Sequence, residues 1–263
     1  MHEPEPKPHA VTFGSVAATL WYWAVFVPTI TFGFCLLMIL WAVTTPIDPQ
    51  RRISHTFVNA WVHTYLKIWP GWKVRVVGRE KIPEGPCVLV ANHQSVADVL
   101  ACMGLARQFK FVAKGSLFSF PIVGWTMKML KYVRVERGRP RSMHHMMEDC
   151  RAWLRQGMSV LIFPEGTYAS ARELLPFKRG AFKLAIDEKA PVVPIAVRGT
   201  RSLVVEDGPW MSPRASIEIE VLPTIGPEAL GTDEKLLADR VRVILAEAVG
   251  RPDQLGHLSP GPG

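Results

Sequence analysis

The sequence predicts an α/β fold: a mixed, largely parallel sheet flanked by helices, with an N-terminal membrane-associated helical segment. Two observations lead to this prediction. From about residue 72 onward, short β-branched runs alternate with stretches of helical periodicity, and this alternation is typical of a sheet that helices cover on both faces. Ahead of that point, residues 8–47 contain no charged side chain and are long enough to cross a bilayer as a helix.

The chain begins with a polar, proline-rich leader over residues 1–10, which lacks the basic region and the cleavage site of a signal peptide. The apolar stretch 19–43 has tryptophans near both ends, as an interfacial aromatic belt would. The arginines at 51–52 follow it, and by the positive-inside rule they place the rest of the chain in the cytoplasm. Pro28 and Gly33 would suit a kink, so the stretch either spans the bilayer or lies in one leaflet. A buried core helix is the third alternative.

Residues 51–70 have the periodicity of an amphipathic helix with an aromatic-rich apolar face. Such a helix packs on the globular domain, lies on the membrane, or does both. Residues 11–70 are therefore predicted to combine a membrane-embedded helix with an amphipathic helix. An α/β domain follows over 71–250, and a disordered tail over 251–263.

The α/β domain is predicted to contain seven strands and five helices. A stripe of Met and aromatic side chains in the predicted helix 141–156 indicates core packing, and Gly157 ends that helix. The predicted strands are 73–77, 87–91, 109–113, 132–136, 158–163, 192–197 and 216–222. The predicted helices are 95–106, 116–130, 141–156, 179–188 and 233–249.

Composition narrows the classes of partner. The formal net charge is +8, and a basic body beside an uncharged apolar segment suggests a membrane surface or an anionic substrate. Nucleic acid is not an expected partner, because no nucleic-acid-binding motif is present. The four cysteines have no C-x-x-C spacing, so we expect reduced, mostly buried thiols and no metal site. The sequence also lacks the fingerprints of serine hydrolases, zinc proteases, P-loop proteins and dinucleotide-binding proteins.

The stretch 88–100 carries the strongest local signal. A predicted strand ends just before His93, and Asp98 follows five residues later. Ser95 and Asp98 have the spacing of a capping box, which explains the aspartate without any catalysis. It does not explain His93, which lies at the carboxyl end of a strand, where α/β folds place ligands. A carboxylate on one imidazole nitrogen would make the other nitrogen a base for a substrate hydroxyl, so a catalytic pair is the alternative.

Two further segments that follow predicted strands suit an anionic or hydroxylated ligand. Gly166 and Thr167 can present backbone N–H groups to an anion, and Lys178 adds positive charge. Glu165 can accept hydrogen bonds from a substrate hydroxyl. Arg137 ends a predicted strand, where a guanidinium can grip a phosphate with two hydrogen bonds. A generic acidic turn and a solvated arginine are the alternative explanations.

Four sequence blocks, in this order, resemble the glycerolipid acyltransferase family, in particular its 1-acyl-glycerol-3-phosphate acyltransferases. The resemblance covers about residues 50–225. The blocks are NHQSVAD at 92–98, then Lys114, Leu117, Pro121, Gly124 and Val135-Glu136-Arg137, then FPEGT at 163–167, and finally VVPI at 192–195.

The resemblance implies that His93 is the general base and that Asp98 orients and charges it. The implied reaction moves an acyl group from acyl-CoA or acyl carrier protein to lysophosphatidic acid, and gives phosphatidic acid for phospholipid biosynthesis. Neither a metal nor a cofactor is implied, and the implied location is the cytoplasmic face of the inner membrane. The residues that the resemblance assigns to the acceptor site are Lys114, Arg137, Glu165, Gly166, Thr167 and Lys178.

The sequence departs from the family pattern at positions near that acceptor site. Tyr168 stands where the family has arginine, and Arg172 or Lys178 would have to compensate. Lys131 stands where the family has glycine, and Glu136 where it has aspartate. These changes put the acceptor head group in question, so glycerol-3-phosphate or a lyso-aminolipid is an alternative acceptor. A non-catalytic lipid-binding protein of the same fold is the alternative from another class.

Overall fold

The structure is a computed structural model, and the predicted leader and tail, together with Arg172, lie outside its described residues. The described residues are 13–69, 71–168, 174–203 and 210–250.

In the described residues, seven strands, numbered β1 to β7 along the chain, form one sheet in the order β1-β7-β6-β2-β5-β3-β4. All neighbouring strands are parallel except β6 and β7, which are antiparallel. This confirms the predicted mixed, largely parallel sheet, and each strand end lies within one residue of its predicted position. The strands are β1 (Trp72–Val77), β2 (Val88–Ala91), β3 (Phe109–Lys114), β4 (Val133–Val135), β5 (Ser159–Ile162), β6 (Val192–Arg198) and β7 (Ala215–Val221).

Helices cover both faces of the sheet, because successive strand side chains alternate between two cores. In β2, Leu89 and Ala91 belong to the core under α2, α3 and α4, whereas Val88 and Val90 belong to the core under α5, α6 and α7. The helices are α1 (Phe13–Thr44), α2 (Arg52–Ile68), α3 (Ala97–Met103), α4 (Val123–Met129), α5 (Pro140–Arg155), α6 (Gly180–Asp187) and α7 (Glu234–Ala248).

The prediction of one helix over 116–130 is wrong. A 3-10 turn spans Gly115–Ser119, Phe120 is extended with ψ 135°, and α4 begins only at Val123. The cause is Pro121, because the residue before a proline avoids the helical region. Ile122 then takes a positive φ of 59° before the helix starts. The predicted helix 95–106 is also shorter, and α3 keeps only its middle.

The N-terminal helix α1 packs lengthwise on α2. It runs through Pro28 and Gly33 as one continuous helix of 32 residues. Gly33 serves close packing, since a Cβ there would lie 2.6 Å from the Trp61 ring of α2. The Tyr22 ring meets the Tyr65 ring edge to face, with centroids 5.9 Å apart, and so adds a second contact between the helices. By length and composition α1 could cross a membrane, and most of its large apolar side chains are exposed.

A buried lysine ties the loop after α1 to the sheet. Lys110 of β3 is fully buried and donates to the carbonyl oxygens of Gln50, at 2.8 Å, and Leu130, at 2.7 Å. Its ammonium also lies 4.8 Å from the centre of the Trp153 ring. Burial lowers the pKa of Lys110 to about 7. Lys110 therefore links the loop between α1 and α2 to the sheet through polar contacts inside the protein.

Candidate active site

The predicted site residues come together at one edge of the sheet. β2, β3, β4 and β5 are parallel, so their carboxyl ends lie at the same edge. His93 follows β2, the FPEGT segment 163–167 follows β5, and Lys114 and Arg137 end or follow β3 and β4. β2 lies between β5 and β6 in the sheet, so His93 occupies the middle of this edge.

The imidazole of His93 is hydrogen-bonded to a fully buried carboxylate. His93 Nδ1 lies 2.8 Å from Asp98 Oδ2, and the same oxygen accepts the backbone N–H groups of Gln94, at 2.6 Å, and Ser95, at 2.8 Å. The Ser95 hydroxyl in turn accepts the N–H of Ala97 at 3.2 Å. Of the two bonds of the predicted capping box, only the one from the Ser95 N–H to Asp98 forms, because the Ser95 hydroxyl bonds Ala97 instead and the N-cap of α3 is Val96, which makes no side-chain cap bond. The start of α3 nevertheless holds Asp98 against His93.

A threonine that sequence reasoning missed completes the environment of Asp98. Thr200 is fully buried just after β6, and its hydroxyl donates to Asp98 Oδ1. Asp98 thus accepts at both oxygens, which means that His93 Nδ1 carries the hydrogen and donates it. In the neutral ring this tautomer leaves the lone pair on His93 Nε2, the form that a general base requires. The 102 residues between Asp98 and Thr200 explain why no local pattern pointed to the threonine.

The backbone around His93 is held from two sides. The Asn92 amide donates to the Val197 carbonyl at 2.9 Å and accepts the Val197 N–H at 2.7 Å, which extends the pairing of β2 with β6. Glu165 Oε1 accepts the backbone N–H of His93 at 2.8 Å, and its Oε2 accepts the N–H of Leu175 at 3.0 Å. Glu165 is buried, and both its oxygens contact protein backbone, which fixes the position of His93 relative to β5.

Two aromatic rings enclose the imidazole. The Phe163 ring stacks on His93 with centroids 4.0 Å apart and an angle of 20° between the planes. The Tyr168 ring lies 4.5 Å away at 55° and is half exposed, so it forms the solvent-facing wall. Burial raises the pKa of the Tyr168 hydroxyl, and the charge of Arg137 partly offsets that effect. Tyr168, which replaces the family's arginine, therefore presents a neutral hydroxyl donor near Arg137.

The predicted cationic residues line the exposed side of the same edge. Arg137 and Lys114 are both exposed. The charge of Arg137 opposes the rise that burial causes in the pKa of Tyr168. Arg134 is the main cause of the lowered pKa of Glu136, and the charge of Lys114 adds to that effect. Arg134 differs from Arg137, since its guanidinium pairs with Glu136 at 2.7 Å. Arg137 is thus the better placed of the two strand-end arginines for an external anion.

The FPEGT turn places a lysine over a glycine. Gly166 has a φ of 70°, which favours glycine, and a Cβ there would lie 2.6 Å from Lys178 Nζ. Thr167 is exposed next to it. Within the described stretches, no group of three His, Cys, Asp or Glu side chains is arranged to hold a metal ion.

The chain is similar in sequence to known proteins of one family. The family described as Acyltransferase matches residues 73–198, which hold all four sequence blocks. The 1-acyl-sn-glycerol-3-phosphate acyltransferase alpha of Bos taurus is 30% identical over 215 residues, covering 80% of this chain and 74% of the bovine protein. The chain belongs to the glycerolipid acyltransferase family. A second relative is the chloroplastic 1-acyl-sn-glycerol-3-phosphate acyltransferase LPAT1 of Arabidopsis thaliana, which is 32% identical over 221 residues. The aligned part covers 83% of this chain but only 61% of the plant protein.

A solved acyltransferase structure has the same fold. The crystal structure of the 1-acyl-sn-glycerophosphate acyltransferase PlsC from Thermotoga maritima superimposes with a TM-score of 0.73 at 21% identity. The match covers 94% of this chain and 98% of the Thermotoga chain. It therefore includes the N-terminal helices as well as the α/β domain, and it confirms the predicted fold class.

Proposed function

We propose that this protein is a membrane-bound 1-acylglycerol-3-phosphate O-acyltransferase. It would transfer a fatty acyl group from a thioester donor to the free hydroxyl of lysophosphatidic acid, giving phosphatidic acid. The observation that carries the proposal is the buried His93–Asp98 pair, whose Nε2 remains available as a base. The names of the bovine and plant relatives support lysophosphatidic acid as the acceptor.

The proposed reaction needs only these side chains and the two substrates. His93 Nε2 takes the proton of the acceptor hydroxyl as the oxygen attacks the thioester carbonyl, and Asp98 stabilises the imidazolium that forms. The tetrahedral intermediate then collapses, the carbon–sulfur bond breaks, and the imidazolium returns its proton to the leaving thiolate. No acyl-enzyme forms, because the acceptor itself is the nucleophile. No step calls for a metal or a cofactor.

The acceptor's glycerol phosphate is proposed to bind between the FPEGT turn and the ends of β3 and β4. Arg137 provides an exposed guanidinium. Tyr168 provides a hydroxyl donor, and its ring lies against the ring of His93. Lys178 and Lys114 add positive charge at the rim, and the turn at Gly166 and Thr167 offers backbone N–H groups. In this arrangement Glu165 positions His93 through its backbone rather than by contacting the acceptor. The residues proposed for the acceptor site are Lys114, Arg137, Gly166, Thr167, Tyr168 and Lys178.

The membrane is proposed to hold α1 within one leaflet. One side of α1 contacts the α/β domain at two widely separated residues. The Thr19 hydroxyl accepts the backbone N–H of Met211 at 2.7 Å, and the Phe34 ring lies 5.8 Å from the ring of Trp125. These two residues of α1 are about 22 Å apart along the helix. An upright crossing would draw the α/β domain into the hydrocarbon, which a polar domain surface does not tolerate.

The cytoplasmic side of the inner membrane is the proposed location of the α/β domain. The net charge of +8 beside an uncharged helix supports this location. Arg51 contributes less to this argument than the sequence suggested, because its side chain is buried over the ring of Trp41. The proposed donors, acyl-CoA and acyl carrier protein, are both acidic and would reach this basic domain from the cytosol.

An acceptor panel tests the proposal. The purified protein in phospholipid vesicles is offered lysophosphatidic acid, glycerol-3-phosphate and lysophosphatidylethanolamine, each with acyl-CoA or acyl carrier protein. We expect lysophosphatidic acid to give the highest kcat/KM. His93→Ala should lower kcat by about 10²–10⁴ with membrane binding unchanged, while His144→Ala, at an exposed histidine of α5, should not. Turnover by His93→Ala at the wild-type rate would refute the mechanism, and preference for another acceptor would refute the proposed substrate.

A further inference from the structure

An apolar patch lies on the corner between the 3-10 turn Gly115–Ser119 and α4. Phe120, Val123 and Trp125 are large apolar side chains that are 57%, 45% and 49% exposed. The Trp125 ring lies 5.8 Å from the ring of Phe34 on α1. The patch is therefore continuous with the apolar surface of α1. We refer to Phe120–Trp125 as the α4 corner.

The backbone holds the α4 corner in a defined shape. Pro121 and the positive φ of Ile122 break the helical path, and a positive φ is unfavourable for a β-branched residue. Gly124 packs directly on the preceding turn, because a Cβ there would lie 2.5 Å from the carbonyl carbon of Phe118. Phe120 and Val123 consequently project from a rigid corner rather than from a flexible loop.

The charged side chains of the segment that contains the α4 corner are all basic, and Glu136, which lies against Gly115 just before the corner, is paired with Arg134. Between residues 114 and 135 the charged side chains are Lys114, Lys128, Lys131 and Arg134, and the first carboxylate is Glu136. The two lysines of this group nearest α4 are exposed. Exposed aromatic and aliphatic side chains flanked by lysines are the composition of a segment that lies in the membrane interface and attracts anionic lipids.

We propose that the α4 corner is a second membrane-inserting element, which enters the same lipid leaflet as α1. This inference rests on the proposed placement of α1 in the membrane. A further contact with the leaflet, away from α1, would limit rotation of the domain about the α1 axis. The turn before the α4 corner follows β3, and His93 follows β2, at the same edge of the sheet. Insertion of the corner therefore keeps the edge that carries His93 facing the bilayer, where a lipid acceptor resides.

Fluorophore placement tests the inference directly, and independently of activity. Cys35 is the exposed thiol among the described residues, so the background variant is Cys35→Ser, and the other three cysteines are buried. Single cysteines are introduced by Phe120→Cys, by Phe32→Cys on α1, and by Leu236→Cys on the exposed side of α7. Each is labelled with a nitrobenzoxadiazole group in vesicles of phosphatidylcholine and phosphatidylglycerol. We expect spin-labelled lipids to quench positions 32 and 120, and aqueous iodide to quench position 236.

The outcomes distinguish a failure of this inference from a failure of the proposed membrane placement of α1. Iodide quenching at position 120 with lipid quenching at position 32 would overturn the inference alone. Iodide quenching at both positions would overturn the membrane placement of α1 as well. Lipid quenching at position 120 that disappears as protein is diluted in the vesicles would mark a contact between protein copies, and would also overturn it.

Kinetics give a second readout. We expect Phe120→Ser and Trp125→Ser to raise KM at least about threefold for a long-chain acceptor presented in vesicles, by loss of apolar insertion. The same variants should leave kcat/KM unchanged for a short-chain, monomeric acceptor, and Leu236→Ser should change neither value. Equal losses with both acceptors would show that the corner acts on the site and not on the membrane, which would contradict the inference.

Discussion

The substitution Asp98→Asn separates the charge of the His–Asp pair from its shape. An asparagine carbonyl oxygen in the place of Oδ2 can still accept from His93 Nδ1 and from the N–H groups of Gln94 and Ser95. The amide nitrogen then replaces Oδ1 and faces the hydroxyl of Thr200, which can turn from donor to acceptor. The cap, the tautomer of His93 and the fold should therefore survive.

What the variant loses is the negative charge opposite the imidazolium. A hydrogen bond to a charged partner contributes about 1 to 1.5 kcal/mol more than a neutral one, which sets the lower limit. Two unit charges about 4 Å apart attract by about 4 kcal/mol at an effective dielectric of about 20, which sets the upper limit. We therefore expect kcat to fall by about tenfold to about a thousandfold. KM for the acceptor should stay the same, because Asp98 is fully buried behind His93.

The assay is steady-state acyl transfer to lysophosphatidic acid in vesicles, with a thermal melt of each variant. Asp149→Asn is the matched control, since it removes an exposed carboxylate from α5 and should leave kcat unchanged. A kcat within about threefold of the wild type, with an unchanged melting temperature, would refute the electrostatic argument. A large loss of thermal stability would instead refute the claim that the amide satisfies all the partners of Asp98.

Three other substitutions test the surroundings of the pair. Thr200→Val removes one of the donors to Asp98 and should lower kcat about tenfold, with recovery in Thr200→Ser; equal rates in all three proteins would contradict this. Tyr168→Arg, which restores the family's residue beside Arg137, should lower KM for lysophosphatidic acid about three- to tenfold relative to lysophosphatidylethanolamine, and an unchanged ratio would exclude Tyr168 from head-group binding. Burial lowers the pKa of Lys110 to about 7, so unfolding takes up a proton above that pH. The stability of the wild type relative to Lys110→Met should therefore rise between pH 7 and about 10, by at most about 1.4 kcal/mol per unit, and melting curves showing a fall would contradict the pKa.

The fold was predictable because its signals are local. Each strand is short and rich in apolar residues, with charged residues interleaved in β1, β3 and β7, and alternation in β2 sends Leu89 to one core and Val90 to the other. The His93–Asp98 contact was also predictable from local sequence, because the turn that begins α3 brings the two residues together. The error in the predicted helix over 116–130 has a local cause too, because Pro121 separates the 3-10 turn from α4.

The remainder of the site depends on contacts between distant parts of the chain. Thr200 reaches Asp98 only because β6 lies beside β2 in the sheet, and the same neighbourhood pairs Asn92 with Val197. Glu165 reaches the backbone of His93 because β5 flanks β2 on the other side. A sequence pattern indicates that such residues are polar and near strand ends. It does not indicate strand order, and strand order decides their partners.

The two halves of the site differ in how much change they tolerate. The half that carries the base is buried, and Asp98, Asn92 and Glu165 each make two or more hydrogen bonds there, so a substitution of one of them leaves other buried groups unpaired. The half proposed to bind the acceptor consists of exposed or half-exposed side chains at strand ends, where substitutions have small effects on stability. The departures from the family pattern at Tyr168, Lys131 and Glu136 all fall outside the buried half. Folding thus constrains the proposed chemistry more tightly than head-group recognition, and altered acceptor preference with retained acyl transfer is the expected result of change at this edge.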